Sequence, residues 1–263
     1  MLPLTRKGAA SPTFVLLHFF GGSQREWSAT TTILAAHHEC ITMDLPGFGD
    51  AASISGYSVR EMLDRVLETI RSLELSRFIL VGHSMSGKVA LSLAALGEPG
   101  LVGLILVAPS PPSPEPIEEK NRQKMLGFGR NRADAENYLD GITAKPLVGE
   151  VREHAIQDFL RSSPEAWSAW LECGSREDWS KEVGVVECPA LIITGETDQS
   201  LSASVQEKLT LPHLRHAAIQ MISECGHLPM MEAPDKIASS IKQFVDQVCP
   251  DCTAKPIGSE KRG

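Results

Sequence analysis

Residues 78–87 read Phe78-Ile79-Leu80-Val81-Gly82-His83-Ser84-Met85-Ser86-Gly87. The first four are apolar on both faces, as in a central strand of a parallel sheet. A serine flanked by small residues follows at once, and residues 88–96 then read as helix. A strand that turns sharply into a helix is the layout of a nucleophile elbow, which lifts a Ser hydroxyl above the sheet edge. Gly82, two before Ser84, suits the crowding of such a turn. Ser86 stands two after it, where the usual Gly-x-Ser-x-Gly pattern has Gly, with Gly87 one further on. An incidental Ser in an ordinary strand–turn–helix has the same local pattern, so the surrounding chain has to decide.

Outward from this stretch, short apolar runs recur at 14–17, 41–43, 104–107, 190–193 and 218–222. Runs of this length that are apolar throughout fit buried parallel strands. Helical patterns lie between them. Ser58 and Glu61 form a capping-box pattern, with Tyr57 and Met62 placed as a hydrophobic staple. Val59, Met62, Leu63, Val66, Leu67, Ile70 and Leu73 then recur at helical spacing. A last helix is predicted over 235–248, with Ile237, Ile241, Phe244, Val245 and Val248 on one face. The alternation predicts an α/β fold, a mostly parallel sheet flanked by helices. It breaks over 111–185, which opens on Pro111-Pro112-Ser113-Pro114 and continues as charged, helix-prone sequence without a strand. That stretch is too long for a loop in a compact domain and predicts a helical cap insertion. Residues 1–110 and 186–252 are assigned to the core, 111–185 to the cap, and 253–263 to a polar, disordered tail.

Composition narrows the function classes. The chain has 263 residues, 42% hydrophobic and 22% charged, with a net charge of −8. These are the proportions of a globular protein with one sizeable core. The acidic balance argues against nucleic acid or an anionic membrane as partner. Residues 1–7 lack the apolar segment of an export signal, and no apolar stretch is long enough to span a bilayer. Six dispersed cysteines in such a chain predict reduced thiols and a cytoplasmic location. Cys249-Pro-Asp-Cys252 is a lone CxxC; with no second pair it falls short of the four ligands of a structural zinc, and no metal is expected.

A Ser hydroxyl needs a base to take its proton. Of eight histidines, His227 stands out, in Gly226-His227-Leu228-Pro229 after the run at 218–222 and before the last helix. It therefore lies at the carboxyl end of a strand, the edge where open α/β sheets bind ligands. A carboxylate must hold that His in the right tautomer. Asp198, in Gly195-Glu196-Thr197-Asp198 after the run at 190–193, lies on the same edge, with Glu196 as the fallback acid and helix capping as the ordinary role for Asp198. The loop Ala108-Pro109-Ser110 offers no carboxylate before Glu115. The order Ser84, Asp198, His227 is that of α/β-hydrolases. An oxyanion needs backbone donors. Met85 N–H, directly after Ser84, is one candidate, and Phe20 N–H is the other, in His18-Phe19-Phe20-Gly21-Gly22-Ser23.

These motifs, with Asp44-Leu45-Pro46-Gly47-Phe48-Gly49, resemble those of the α/β-hydrolase superfamily, of the esterase and cofactor-free haloperoxidase type. Phe19 departs from the Gly usual after the first-strand His, and Ser86 from the usual Gly of the elbow. The resemblance implies a catalytic triad of Ser84, Asp198 and His227, an oxyanion hole at Phe20 and Met85, a structural Asp44 loop, and no cofactor. It implies hydrolysis of a small-molecule carboxylic ester, with perhydrolysis, carbon–carbon hydrolysis or a ligand-binding receptor on the same fold as alternatives. No oligomeric state is implied. Phe19, Trp167, Trp170 and Leu171 are the candidate substrate-binding residues; the last three share a helical face and are equally suited to packing the cap on the sheet.

Overall fold

The computed structural model describes residues 1–250. Among these residues seven strands form one sheet: β1 (Leu4–Lys7), β2 (Thr13–Leu17), β3 (Cys40–Met43), β4 (Phe78–His83), β5 (Leu101–Val107), β6 (Ala190–Gly195) and β7 (Ala217–Ile222). Their order is β1-β3-β2-β4-β5-β6-β7, and only the β1–β3 pair is antiparallel. β2, β3, β4 and β6 are buried along their whole length, which is why their sequences are nearly continuous apolar runs.

The sequence reading gives six strands, and β1 is the one it lacks. Leu4-Thr5-Arg6-Lys7 lies at the sheet edge with its middle residues exposed, so it carries no apolar run. β7 occupies the opposite edge and is only partly covered.

Among the described residues eleven α-helices accompany the strands: α1 (Ser28–Leu34), α2 (Val59–Ser72), α3 (Met85–Ala95), α4 (Glu119–Leu126), α5 (Arg132–Ile142), α6 (Gly149–Arg161), α7 (Pro164–Glu172), α8 (Ser180–Val183), α9 (Ala203–Leu209), α10 (Pro229–Glu232) and α11 (Pro234–Val248). Helix α2 starts on a complete capping box: Ser58 Oγ accepts from Glu61 N–H, and the Glu61 carboxylate accepts from Ser58 N–H. Its face Val59, Met62, Leu63, Val66 and Ile70 is buried. Helix α3 is buried on every side from Met85 to Ala94, because it follows the central strand and lies under the helical segment.

Residues 111–185 contain α4 to α8 and no strand. Polar contacts tie this segment to the rest of the chain. Ser163 N–H donates to Gly47 O at 2.7 Å, and His227 N–H to Ile142 O at 2.7 Å. Ser23 Oγ donates to the buried Asp158 carboxylate at 2.7 Å, which Arg25 and Arg161 also bind.

Burial raises the Cys40 thiol to about 12 and the Cys188 and Cys225 thiols to about 11, so these groups stay protonated at neutral pH. Cys252 of the CxxC pair and the tail at 253–263 lie outside the described residues. Among the described residues no helix is long and apolar enough to cross a membrane.

A Cβ at Gly87 would overlap the Pro109 ring, whereas one at Gly141, on the exposed side of α5, would meet nothing within 4 Å. Gly87→Ala is therefore expected to destabilise the protein by about 1–3 kcal/mol through overpacking. Gly141→Ala is expected to stabilise it by up to about 1 kcal/mol through helix propensity. Denaturant unfolding of the two variants checks both signs.

Candidate active site

The carboxyl ends of β4, β6 and β7 carry Ser84, Asp198 and His227 to one place. Ser84 follows β4 directly and adopts φ 51°, ψ −116°. This positive-φ turn points the chain from strand into α3. Its crowding is visible at Gly82, where a Cβ would come within 2.7 Å of Ala90 Cβ and Ser86 O. Ser86 fits the turn by using its hydroxyl: Oγ accepts from His83 N–H at 2.9 Å and lies 3.0 Å from both Leu17 O and His83 O, to which its proton is directed. The departure from Gly thus joins the elbow to the end of β2.

His227 Nε2 is 2.8 Å from Ser84 Oγ, and His227 Nδ1 is 2.7 Å from Asp198 Oδ2. Asp198 also accepts from Ser200 N–H at 2.9 Å and Leu201 N–H at 3.1 Å through its other oxygen. It therefore does both of the jobs weighed from the sequence, holding the His and shaping the following turn. Glu196, the fallback acid, instead accepts from Glu224 N–H on the exposed side of the loop. Ser84 and His227 are each 7% exposed and Asp198 5%.

Burial opposes the charge on Asp198, but the His227 ring and the two backbone donors outweigh it and bring the carboxyl down to about 2. Burial likewise disfavours the His227 imidazolium, but the Asp198 charge and hydrogen bond outweigh it and raise the ring above its ordinary value. The Glu115 carboxyl adds to that rise.

Of the two amides expected to receive an oxyanion, Met85 N–H follows Ser84 directly and Phe20 N–H belongs to the loop after β2. Met85 opens α3, where N–H groups have no intrahelical acceptor. The Phe20 loop is braced by His18, whose Nδ1–H donates to Phe19 O at 2.7 Å while Nε2 accepts from Leu45 N–H at 2.9 Å. The buried Asp44 carboxylate accepts from Gln24 and Asp50 N–H groups and fixes the neighbouring loop.

The four residues offered as substrate contacts divide. Trp167 packs on Phe20, with ring centroids 4.2 Å apart, and on Phe128, Tyr138 and Phe159. Trp170 lies instead over Lys88 of α3, 5.9 Å from Nζ. Lys88 is buried, donates to Glu177 O at 2.9 Å, and is lowered by burial to about 8. Leu171 is wholly buried in the core. Phe19 turns its ring to His83, at 5.3 Å, and to Phe159.

Several residues that shape the site carry no motif. His83 Nε2 is 2.8 Å from His227 O, and His83 Nδ1 is 3.0 Å from Glu26 Oε1. Glu232 accepts from Gly226, Leu228 and Ala144 N–H groups, holding the His227 loop from below. A histidine closing an apolar strand is the one sequence signal for the first of these, since a buried imidazole requires partners. Among the described residues no group of three or more His, Cys, Asp or Glu is placed to hold a metal ion.

The sequence profile of the alpha/beta hydrolase family matches residues 14–240. The chain is 26% identical over 249 residues to a Pseudomonas putida protein, the dihydrolipoyllysine-residue acetyltransferase component of an acetoin cleaving system. The match takes in 90% of this chain and 64% of that protein, so the chain spans about two-thirds of its relative's length. It is 27% identical to the 2-succinyl-6-hydroxy-2,4-cyclohexadiene-1-carboxylate synthase of Salmonella schwarzengrund, over 89% of this chain and 94% of the relative. Among solved structures, a thermophilic esterase from Thermogutta terrifontis superposes with a TM-score of 0.76 at 25% identity, covering 94% of this chain and 93% of that one.

The opposing effects on His227 can be separated. In Asp198→Asn the favourable charge is gone and burial remains, so the ring pKa is expected to fall below its wild-type value. Nuclear magnetic resonance titration of His227 against pH checks the direction.

Proposed function

Because the chain belongs to the alpha/beta hydrolase family, we propose that it is a serine hydrolase that cleaves a small-molecule carboxylic ester through an acyl-enzyme. The observation that carries this reading is the unbroken chain of hydrogen bonds from Ser84 Oγ through the His227 ring to Asp198. His227 Nε2 takes the Ser84 proton as Oγ attacks the ester carbonyl. Asp198 fixes the tautomer by accepting from Nδ1–H and stabilises the imidazolium that forms. The Phe20 and Met85 amides receive the developing oxyanion. The imidazolium then gives its proton to the leaving alcohol, and water releases the acyl group by the same steps. The route needs no metal or organic cofactor. In this reading residues 111–185 are a cap, the site of action is cytoplasmic, and the partner is the ester alone.

A second reading follows from the Salmonella relative, whose match extends over most of both chains. It assigns this site to the synthase reaction for which that protein is named, in line with non-ester chemistry on this fold. Formation of the product for which that synthase is named, with no action on esters, would favour it.

The two readings part in one assay. Wild type is expected to hydrolyse a chain-length series of nitrophenyl esters, and Ser84→Ala to lose at least about a thousandfold in kcat. The base works only when neutral. Since the His227 pKa is raised above 6.5, kcat/KM is expected to fall as pH drops through a value above 6.5. Wild-type turnover in Ser84→Ala would overturn the assignment.

The same esters test the aromatic wall. Trp167→Ala removes the α7 ring that packs on Phe20 and is expected to change the chain-length preference. Trp170→Ala removes packing over Lys88 and is expected to cost about 3–5 kcal/mol of stability, read by denaturant unfolding, with the preference unchanged.

A further inference from the structure

Beneath the Ser84–His227–Asp198 chain lies a second acid–histidine couple, Glu26 and His83. Both side chains are fully buried. Their hydrogen bonds fix where the protons sit. The His227 carbonyl is an acceptor only, so His83 must present Nε2–H to it across 2.8 Å. A neutral His83 then has a bare lone pair at Nδ1, 3.0 Å from Glu26 Oε1. A carboxylate oxygen there would set two acceptors against each other. A carboxylic acid instead donates Oε1–H to Nδ1, while its Oε2 accepts from Phe19 N–H at 3.2 Å. Every polar atom of the pair is satisfied in this one arrangement. The alternative is a fully buried imidazolium–carboxylate pair, which pays desolvation of two ions.

We infer that Glu26 is a neutral carboxylic acid at working pH, and that with His83 it positions the His227 backbone and the Phe19–Phe20 loop together. Glu26 reaches the first through His83 and the second through Phe19 N–H, so one buried side chain sets the distance between the base and the oxyanion loop. Both are positioning residues, as neither touches the reacting atoms. This inference rests on the serine hydrolase reading for its kinetic consequence but not for the protonation state.

The surroundings agree. Burial raises the Glu26 carboxyl and lowers the His83 ring, and each shift favours the uncharged form. The charged and titratable groups around the pair are His18, Asp158, His227 and Asp198. Asp158, itself held by Arg25 and Arg161, disfavours a second negative charge at Glu26.

Glu26→Gln is the isostere of the neutral acid: its amide N–H donates to His83 Nδ1 and its carbonyl accepts from Phe19 N–H. It is expected to keep kcat within about twofold and to leave the acid limb of the kcat/KM profile where it is. Glu26→Met, of similar volume without polar atoms, is expected to lower kcat about tenfold or more with KM little changed. If Glu26 were ionised, removing its charge in Glu26→Gln would lower the His227 pKa and move the acid limb to lower pH; that shift overturns the inference. Wild-type kcat in Glu26→Met overturns the positioning role.

Nitrogen-15 spectra of the histidine rings in wild-type protein give an independent answer. A neutral His83 with its proton on Nε2 supports the inference, and an imidazolium overturns it. These spectra and the Glu26→Gln profile decide the matter if Glu26→Met fails to fold. Should wild type hydrolyse no ester, the rate at which a fluorophosphonate labels Ser84 replaces kcat. Absence of labelling overturns the serine hydrolase reading and the kinetic role that rests on it, while the ring spectra still decide the protonation state.

Discussion

The backbone of Ser84 holds φ 51° and ψ −116°, a conformation that costs a residue with a Cβ about 1–3 kcal/mol. The surrounding structure holds it there. Ser84 N–H donates to Val107 O at 2.9 Å, which locks the turn to the end of β5. Ser84 O accepts from Gly87 N–H and Ser110 N–H, so the start of α3 and the chain leaving β5 both close on the same carbonyl. Gly82 and Gly87 leave room for the helix to come this close, and the Ser86 hydroxyl reaches across to β2. The register of three adjacent strands thereby converges on one dihedral pair, and the placing of the Ser84 hydroxyl beside His227 follows from it.

What the sequence disclosed follows from distance along the chain. β2, β4, β5 and β6 are legible because each is buried on both faces, and the elbow because its small residues are within three positions of Ser84. Asp198 and His227 are legible because each follows an apolar run directly, which fixes the sheet edge on which it lies. Contacts set by folding alone left little trace. β1 is an edge strand with polar middle residues. Glu26 lies in a turn, 57 positions from His83, and nothing local marks it as buried. Ile142 and Glu232 serve the His227 loop through a carbonyl and a carboxylate whose targets are backbone amides, which any residue supplies. The helical face of Trp167, Trp170 and Leu171 is real, but helical spacing groups the residues without saying which neighbour each meets. Trp167 meets the Phe20 loop, Trp170 meets Lys88, and Leu171 meets the core.

His227 is fixed at three separate points. Its ring is held by Asp198 from the end of β6, its carbonyl by His83 from the end of β4, and its N–H by Ile142 O from the helical segment. A loop residue at a sheet edge would otherwise have little to limit its motion. Each of the three bonds comes from a different element, so the position of the ring depends on the whole edge rather than on its own loop. The helical segment is therefore part of the scaffold for this histidine.

Two carboxyl groups, Asp198 on the His227 ring and Glu26 on the His83 ring, are kept in opposite charge states by what their oxygens face. Asp198 receives three N–H donors, from His227, Ser200 and Leu201, and such donors favour the charged form enough to offset burial. Glu26 receives one N–H donor, from Phe19, and faces a ring nitrogen whose partner across the imidazole is already committed to a carbonyl. With a single donor and full burial, the neutral acid is the stable form. The division follows from the count of donors: the acid on the His227 ring stays charged and can stabilise an imidazolium, while the acid on the His83 ring stays neutral and adds no field that would hold the His227 ring protonated.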